Sequence, residues 1–518
     1  MPLIRLRHIS LVVLSAIFTL LLSGCSAEAR LASGIEIYET GEYHAAIEKF
    51  RGMDFDNRYY RAQASYYLGM SYYRSGQGQR AAAYLQRAIR YGLSKPEARF
   101  YAGQALRMRE EYEDAIKEYE AYLEHDVGNR AALNGIRSCR MALDPPEKTR
   151  HEIEIARDLR SRESDYSPDF AGNNYTMVYF SSMRGGDKKR NTNQITGQGS
   201  SVIYQSLQDG RGGWEDPTPF IGDKELQKDD GTPAFSQDGK EMYFTRCTFP
   251  DDGPEGSSIM VMRRSGGRWS DPEEIPLGAD SLVFAHPAIS PDGETLVFVS
   301  DMPEGYGGKD LWKVTRASGN EWGVPENMGP EFNTPADEMF PRFRSDGRLY
   351  FSSDGLVGYG GLDIFEATHR EKNEEWEIQN MERPINSPSH DFGIVFRGDR
   401  NIGFFSSSRS SYRGVDDIYE FELPVIQAIF RGRVTDRSGE PITNARVHVV
   451  GNNGTNMTAR TSDEGCFNFV LEPEAGYMIM ASAPEYYNGR VSLSTEGMEE
   501  SDEFEDTIIL QKIKEGSQ

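Results

Sequence analysis

The chain has 518 residues and a formal net charge of −24, with 81 acidic and 57 basic side chains. A chain of this length predicts several domains, and so large a negative charge argues against binding nucleic acid or anionic lipid head groups. The four cysteines lie far apart, which argues against a disulfide framework, and we expect buried free thiols at Cys139, Cys247 and Cys466.

Residues 1–25 have the pattern of a lipoprotein signal peptide. Arg5 and Arg7 precede an apolar stretch over residues 9–22, which is too short and wrongly flanked for a membrane span. The sequence Leu-Ser-Gly-Cys ending at Cys25 resembles the lipobox of bacterial lipoprotein precursors. The resemblance implies that Cys25 is lipidated and that the mature protein is held at the outer membrane by its acyl chains without spanning it. The alternative is an ordinary signal peptide with an incidental cysteine.

A helical repeat follows over residues 31–143. Small residues recur in it with steps of 34 or 35 residues, the period of tetratricopeptide repeats, in which glycine and alanine let paired helices pack closely. These residues are Gly34, Gly69, Gly103, Ala46, Ala81 and Ala115. We expect residues 129–143 to form a further helix that caps the stack.

Tetratricopeptide stacks expose a concave face built from the first helix of each repeat. Here the repeat register predicts a face that combines aromatic and arginine side chains, a composition typical of protein-binding hot spots. It consists of Tyr66, Met70, Tyr73, Arg74, Phe100, Gln104 and Arg107. The alternative is that several of these side chains pack against the next repeat or against the region that follows.

The middle of the chain, residues 150–424, contains a second and longer repeat. The aromatic residue that ends one predicted strand recurs with steps of 64, 54, 53 and 54 residues, and tryptophan recurs with steps of 55, 53 and 54. Each copy has a short strand, an Asp-Gly hairpin turn, a strand rich in β-branched and aromatic residues, a Gly-rich loop and further strands. Four strands per unit, repeated radially, describe a β-propeller.

The copies resemble the WD40-like PD40 repeats of TolB-type propellers. Five copies predict five blades, and six remain possible if a degenerate blade lies within the long first step. Residues 152–159 form a strand without a blade of its own, and we expect it to complete the last one. The recurring Asp310, Asp363 and Asp417 are expected to tie the Gly-rich loops to their strands rather than to act on a substrate.

Residues 427–511 show alternating strands separated by Gly, Pro and Asp turns, which predicts a small β-sandwich. The sequence of this segment resembles the carboxypeptidase regulatory-like domain. The resemblance implies a transthyretin-like fold and an accessory module rather than the peptidase itself. The whole sequence lacks a Gly-x-Ser-x-Gly elbow, a His-Glu-x-x-His zinc motif and a phosphate-binding Gly-rich loop. We therefore expect no enzyme, no cofactor and no metal site.

The order of modules behind a lipobox resembles the PorE-type lipoproteins of the Bacteroidota type IX secretion and gliding machinery. Those proteins also carry an OmpA-like domain that grips peptidoglycan; this sequence shows none, so peptidoglycan binding is not expected. The resemblance implies a non-catalytic periplasmic scaffold that docks envelope and secretion proteins. The alternative is a lipoprotein that binds glycan or peptide on the propeller through exposed aromatics such as Tyr306 and Tyr359.

Overall fold

The computed structural model describes residues 27–184, 192–220, 229–248, 256–318, 321–370, 375–411, 414–498 and 500–513. The predicted signal peptide, including Cys25, lies outside these residues. The chain divides into two units, one ending at Leu423 and the other beginning at Pro424. Within the described part of the chain, no helix is both long and apolar enough to cross a membrane.

Seven helices form the start of the first unit. They are α1 (27–39), α2 (Tyr43–Arg51), α3 (Arg58–Arg74), α4 (Gly78–Arg90), α5 (Glu97–Arg107), α6 (Tyr112–Leu123) and α7 (Arg130–Leu143). The recurring small residues lie where these helices touch. A Cβ at Gly69 would lie 2.8 Å from Leu85 and one at Gly103 would lie 2.7 Å from Tyr119, so a side chain at either position would force its neighbour to move. The predicted helical repeat is confirmed, and Asn129 caps α7 by accepting the N–H of Ala132.

A large all-β region follows over residues 152–422, which we call the five-sheet region. It starts with β1 (Glu152–Ile155). The first sheet is β2 (Asp165–Phe170), β3 (Met177–Ser182), β4 (Val202–Leu207) and β5 (Thr218–Pro219). The second is β6 (Asp229–Phe235), β7 (Glu241–Thr248), β8 (Gly256–Ser265), β9 (Arg268–Trp269) and β10 (Glu273–Glu274).

Three further sheets complete the region. The third is β11 (Phe284–Ile289), β12 (Thr295–Ser300), β13 (Asp310–Ser318), β14 (Glu321–Trp322) and β15 (Glu326–Asn327). The fourth is β16 (Glu338–Phe343), β17 (Leu349–Ser353), β18 (Asp363–Arg370) and β19 (Glu375–Asn380). The fifth is β20 (Asp391–Phe396), β21 (Ile402–Ser407) and β22 (Asp417–Glu422), with β1 as its fourth strand.

Consecutive sheets pack face to face through buried apolar clusters, and the fifth sheet shares such a cluster with the first. The leading strands contact one another in the order β2, β6, β11, β16 and β20, and β20 also contacts β2. β1 pairs antiparallel with β22, with Ile155 opposite Tyr419. The prediction that this early strand completes the last sheet is therefore confirmed.

Each leading strand contains a bulge with one residue at positive φ, a conformation that costs free energy outside glycine. In three of these strands a hydroxyl group of the preceding sheet compensates by accepting the backbone N–H of that residue, and in β16 the N–H of Phe340 faces His286 Nδ1 at 3.3 Å. Ser406 accepts from Ser167 at 2.8 Å, Ser181 from Thr232 at 2.7 Å and Thr245 from His286 at 2.9 Å. These bonds fix the position of each sheet against its neighbour.

The second unit consists of two antiparallel-rich sheets around one apolar core. One sheet contains β26 (Cys466–Leu471), β23 (Ala428–Asp436), β30 (Asp502–Lys512) and β28 (Tyr486–Tyr487). The other contains β25 (Asn456–Arg460), β24 (Arg446–Gly451), β27 (Gly476–Ser482) and β29 (Gly489–Ser494). The strand pattern predicts this sandwich.

The prediction of three buried thiols is wrong in part. Cys139 is buried, Cys247 is half-buried and Cys466 is exposed. In β26 the side chains alternate, and Phe467 and Phe469 point into the sandwich core. Cys466 therefore faces the opposite side of the sheet.

Candidate functional site

Helices α3, α5 and α7 together hold a loop of the same chain. This loop, residues 354–360, connects β17 to β18 and is called the groove loop below. Asn134 Nδ2 donates a hydrogen bond to the Gly355 carbonyl at 2.8 Å, and Ser138 Oγ accepts the Gly358 N–H at 3.1 Å. Both side chains come from α7 and both bond to the loop backbone, so α7 recognises the path of the loop.

Helix α5 adds a buried cation to the same contact. Arg107 is 2 % exposed, and its Nη2 donates to the Asp354 carbonyl at 3.3 Å. Gln104 lies beside it, with Nε2 3.5 Å from the same oxygen. A buried guanidinium without partners would be costly, so these contacts tie the position of α5 to that of the groove loop.

The side chain of Asp354 connects the helices to the neighbouring loop of the five-sheet region, which precedes β16. Its Oδ1 accepts the Asp337 N–H at 2.9 Å, and Tyr73 OH from α3 makes a long contact of 3.4 Å with Oδ2. Burial, followed by the charge of Asp337, raises the pKa of Asp354, while the guanidinium of Arg107 opposes the shift. The carboxyl group therefore holds its proton to a higher pH than a solvated aspartate does.

Tyr359 is the apolar anchor of the groove loop. It is 1 % exposed and belongs to the same buried cluster as the cores of the helices. Its hydroxyl donates a hydrogen bond to Glu382, and the guanidinium of Arg383 lies 4.6 Å from its ring centre. The aromatic ring thus joins the helices to the fourth sheet.

Two recurring aspartates hold the Gly-rich loops as predicted. Asp363 Oδ2 accepts the N–H of Tyr359 at 2.9 Å, and Asp310 Oδ2 accepts that of Tyr306 at 2.5 Å. Burial raises the pKa of Asp363 to about 7, although Arg107 and the loop N–H groups act in the opposite direction. The prediction that these side chains tie loop to strand is confirmed for both, and the third predicted aspartate, Asp417, holds its loop by accepting the Ser410 hydroxyl.

The predicted groove residues fall into two groups. Tyr66 and Met70 are buried in the core of the helices, where Phe100 packs beside them, and Arg74 donates to Tyr101 OH at 3.1 Å. The residues that face the groove loop are Tyr73, Gln104 and Arg107. This distribution favours intramolecular packing over a free partner-binding groove.

The two tyrosines of the predicted ligand face differ from each other. Tyr306 is 46 % exposed, as a ligand-binding aromatic must be, whereas Tyr359 is covered by the helices. The expectation of an exposed Tyr359 is wrong, because the helices pack on its loop and not on the loop of Tyr306. Only Tyr306 remains available to a ligand.

A buried arginine bridges three of the leading strands. Arg342 of β16 donates to Asp169 Oδ2 of β2 at 2.9 Å and to the Pro233 carbonyl of β6 at 3.0 Å. The cavity beside it measures about 80 Å³, well below the roughly 300–1,000 Å³ of small-molecule sites. Within the described residues, no group of three or more His, Cys, Asp or Glu side chains could hold a metal ion.

Sequence reasoning missed a motif that precedes two leading strands, Asn-Thr-Pro-Ala-Asp-Glu at 333–338 and Asn-Ser-Pro-Ser-His-Asp at 386–391. Asn333 bonds both backbone groups of Leu311, at 2.8 and 3.0 Å, and Asn386 does the same to Ile364. The repeated Asn-Ser/Thr-Pro spacing was the available signal. No pattern in the sequence marked Asn134 and Ser138 as contact residues, because the groove loop that they bind lies more than 200 residues later in the chain.

No curated protein matches the chain. Among solved structures, YrrB, described as a TPR protein with an unusual peptide-binding site, is 25% identical over 23% of this chain and 62% of its own, with a TM-score of 0.21. The first TPR of Spaghetti (RPAP3), bound to the HSP90 peptide SRMEEVD, is 26% identical over 23% of this chain and 93% of its own, with a TM-score of 0.21.

A third similar structure is 3-chlorocatechol 1,2-dioxygenase from Rhodococcus opacus 1CP, which is 12% identical over 17% of this chain, with a TM-score of 0.15. This chain spans 62% of the length of that enzyme. Two family models match. The tetratricopeptide repeat model covers residues 66–130 and the carboxypeptidase regulatory-like domain model covers residues 429–501, so the chain contains both kinds of domain.

Proposed function

We propose that the five sheets are the blades of a closed β-propeller and that the helical repeat is fastened to it as part of one scaffold. Closure is supported by the contact of β20 with β2 and by the pairing of β1 with β22. It is also supported by the hydrogen bond from the Ser167 N–H in the first sheet to Ser406 in the fifth. A ring of this kind offers several loop surfaces in a fixed arrangement.

The proposed scaffold is non-catalytic. The observation that supports a scaffold role is that the helices bind the groove loop of the same chain. The helices use Arg107, Asn134 and Ser138 to hold the chain's own loop. Repeat helices that hold their neighbour set the geometry of the modules, and partners then dock on the remaining outer surfaces. The acyl group on Cys25 would anchor the assembly at the outer membrane, facing the periplasm, among proteins of a PorE-like secretion or gliding complex.

Cross-linking in intact cells with this protein as bait tests the proposal. We expect envelope proteins to be recovered with wild-type protein, and we expect Cys25→Ala to release the protein from the membrane fraction and reduce that recovery. Cys466→Ala is the matched control, because it also removes a cysteine and should change neither result. Purified envelope complexes that never contain the protein would contradict the scaffold.

A ligand-binding function is the second candidate, and the exposed ring of Tyr306 is the observation that favours it. Solvent-facing tyrosines can stack on sugar or peptide groups. If this function holds, the purified protein binds an oligosaccharide in a saturable way and Tyr306→Ala abolishes the binding. Equal binding by wild type and Tyr306→Ala would dismiss it.

A further inference from the structure

The motif that precedes β16 and β20 is altered in front of β2, where the chain reads Arg-Ser-Arg-Glu-Ser-Asp over residues 160–165. The backbone bond at its centre is kept. The N–H of Ser161 donates to Asp165 Oδ2 at 2.6 Å, as the N–H of Thr334 does to Glu338 at 2.7 Å. Because the backbone is equivalent, Arg160 stands at the position of the motif asparagine and Arg162 at that of the motif proline.

The replacement of the motif asparagine by Arg160 changes how this loop contacts the neighbouring sheet. Where the asparagines bond the backbone of the preceding sheet, Arg160 pairs with the side chain of Asp417, with Nε 2.8 Å from Oδ1. Asp310 and Asp363, the equivalents of Asp417, accept the N–H of a Gly-rich loop, whereas Asp417 accepts the hydroxyl of Ser410 from its own loop as well as pairing with Arg160. An arginine–aspartate pair therefore joins the first sheet to the fifth at this position, whereas an asparagine bonds the backbone between the third and fourth sheets and between the fourth and fifth.

A cavity of about 630 Å³ lies between residues 157–162 and the residues Ser410, Ser411, Val415 and Asp417 of the fifth sheet. Its polar lining comprises Arg157, Arg160, Ser161, Arg162, Ser410, Ser411 and Asp417. Its size falls within the range of small-molecule sites, roughly 300–1,000 Å³. Repeat symmetry is broken here by the introduction of charge, and places where a repeat departs from its own pattern are candidates for function.

The charges of this cavity are not balanced. Arg160 is neutralised by Asp417, but the exposed side chains of Arg157 and Arg162 form no hydrogen bond or ion pair within the described residues. The nearby carboxylate of Asp158 accepts the N–H of Trp214 at 3.1 Å. Two unpaired guanidinium groups thus share a concave site on a protein whose formal net charge is −24.

We propose that this cavity binds a phosphomonoester group through Arg157 and Arg162, a function independent of the scaffold. Guanidinium groups present parallel N–H donors that match phosphate oxygens. Two unpaired cations also match the charge of a phosphomonoester, which is close to −2 at neutral pH. The rest of the ligand would occupy the remainder of the cavity.

Binding of inorganic phosphate to the full chain at constant ionic strength tests the assignment. Phosphate should raise the melting temperature of the wild type more than chloride does, and Arg157→Gln/Arg162→Gln should weaken binding by roughly tenfold or more per arginine. Arg268→Gln/Arg400→Gln, which removes two exposed arginines elsewhere in the same unit, is the matched control. Phosphate also stabilises proteins non-specifically, so an equal rise in all three proteins would overturn the proposal.

A second set of measurements distinguishes a lipid source of the phosphate group from a soluble one. Phosphatidylcholine vesicles with phosphatidic acid present a lipid phosphomonoester, and pure phosphatidylcholine vesicles do not. Binding to the phosphatidic acid vesicles or to soluble phosphate, lost in the Arg157/Arg162 variant, supports the site. Failure to bind either source, or binding of a polyglutamate peptide in preference to both, contradicts it.

Discussion

The two Gly-Tyr-Gly-Gly loops at residues 305–308 and 358–361 have one sequence and two environments. In each loop the tyrosine N–H bonds the aspartate that begins the next strand. In each, the glycine after the tyrosine contacts the next sheet so closely that a Cβ at Gly307 or Gly360 would lie within 2.3 Å of a proline. Yet Tyr306 is 46 % exposed and Tyr359 only 1 %. The repeat determines the backbone of a loop, whereas the neighbouring helices determine what its side chain does.

The largest expected effect is the loss of stability on replacing Tyr359 by alanine, compared with the same replacement at Tyr306. Tyr359→Ala should lower the free energy of unfolding by about 3–5 kcal/mol, because it empties a buried aromatic site between the helices and the fourth sheet. Tyr306→Ala should change it by no more than about 0.5 kcal/mol. Chemical denaturation of the full chain measures both, and equal losses would mean that the helices do not cover the second loop.

The amide of Asn134 gives the next largest effect. Asn134→Ala leaves the Gly355 carbonyl without its 2.8 Å donor inside the contact, so we expect a loss of about 1–3 kcal/mol. Leu133→Ala, at the neighbouring and exposed position of α7, is the matched control and should be nearly neutral. If the two variants have the same stability, α7 does not hold the groove loop.

Asp363 and Asp310 are expected to contribute differently to the pH dependence of stability. Burial raises the pKa of both, and raises that of Asp363 from 3.8 to about 7. Between these two pH values the folded protein binds more protons at Asp363 than the unfolded chain does. This site therefore makes stability fall as pH rises through that window, by up to about 1.4 kcal/mol per pH unit.

Asp363→Asn should remove this contribution and flatten the fall in stability between pH 4 and 7. Asp310→Asn, at the start of the strand that follows the exposed loop, should flatten it less. Urea denaturation at several pH values measures the slope. A steeper effect from Asp310→Asn would show that burial by the helices does not control the protonation of Asp363.

Local patterns in the sequence were sufficient for most of the fold. The spacing of Gly69 and Ala81 indicated closely packed helices, and the strand over residues 152–159 lacked a partner of its own. Such features depend on neighbours at fixed distances along the chain, so periodicity reveals them. The pairing of β1 with β22 followed from counting strands.

The site depended on contacts that periodicity does not encode. Whether Arg107 faces a partner or the chain's own loop is decided by a carbonyl 247 residues later. Tyr359 and Tyr306 are indistinguishable in the repeat, so only the position of the helices separates them. The hydroxyl groups that accept bulge N–H groups, such as Ser406, looked like ordinary strand residues until the neighbouring sheet was in place.

Hydrogen exchange in the groove loop tests the central claim most directly. The N–H of Gly358 is bonded to Ser138 of α7, and residues 358–361 are buried, whereas residues 303–308 of the corresponding loop are exposed. Peptides covering 354–360 should exchange much more slowly than those covering 301–307, and Tyr359→Ala should remove most of that difference. Equally fast exchange in both loops of the wild-type protein would contradict the account.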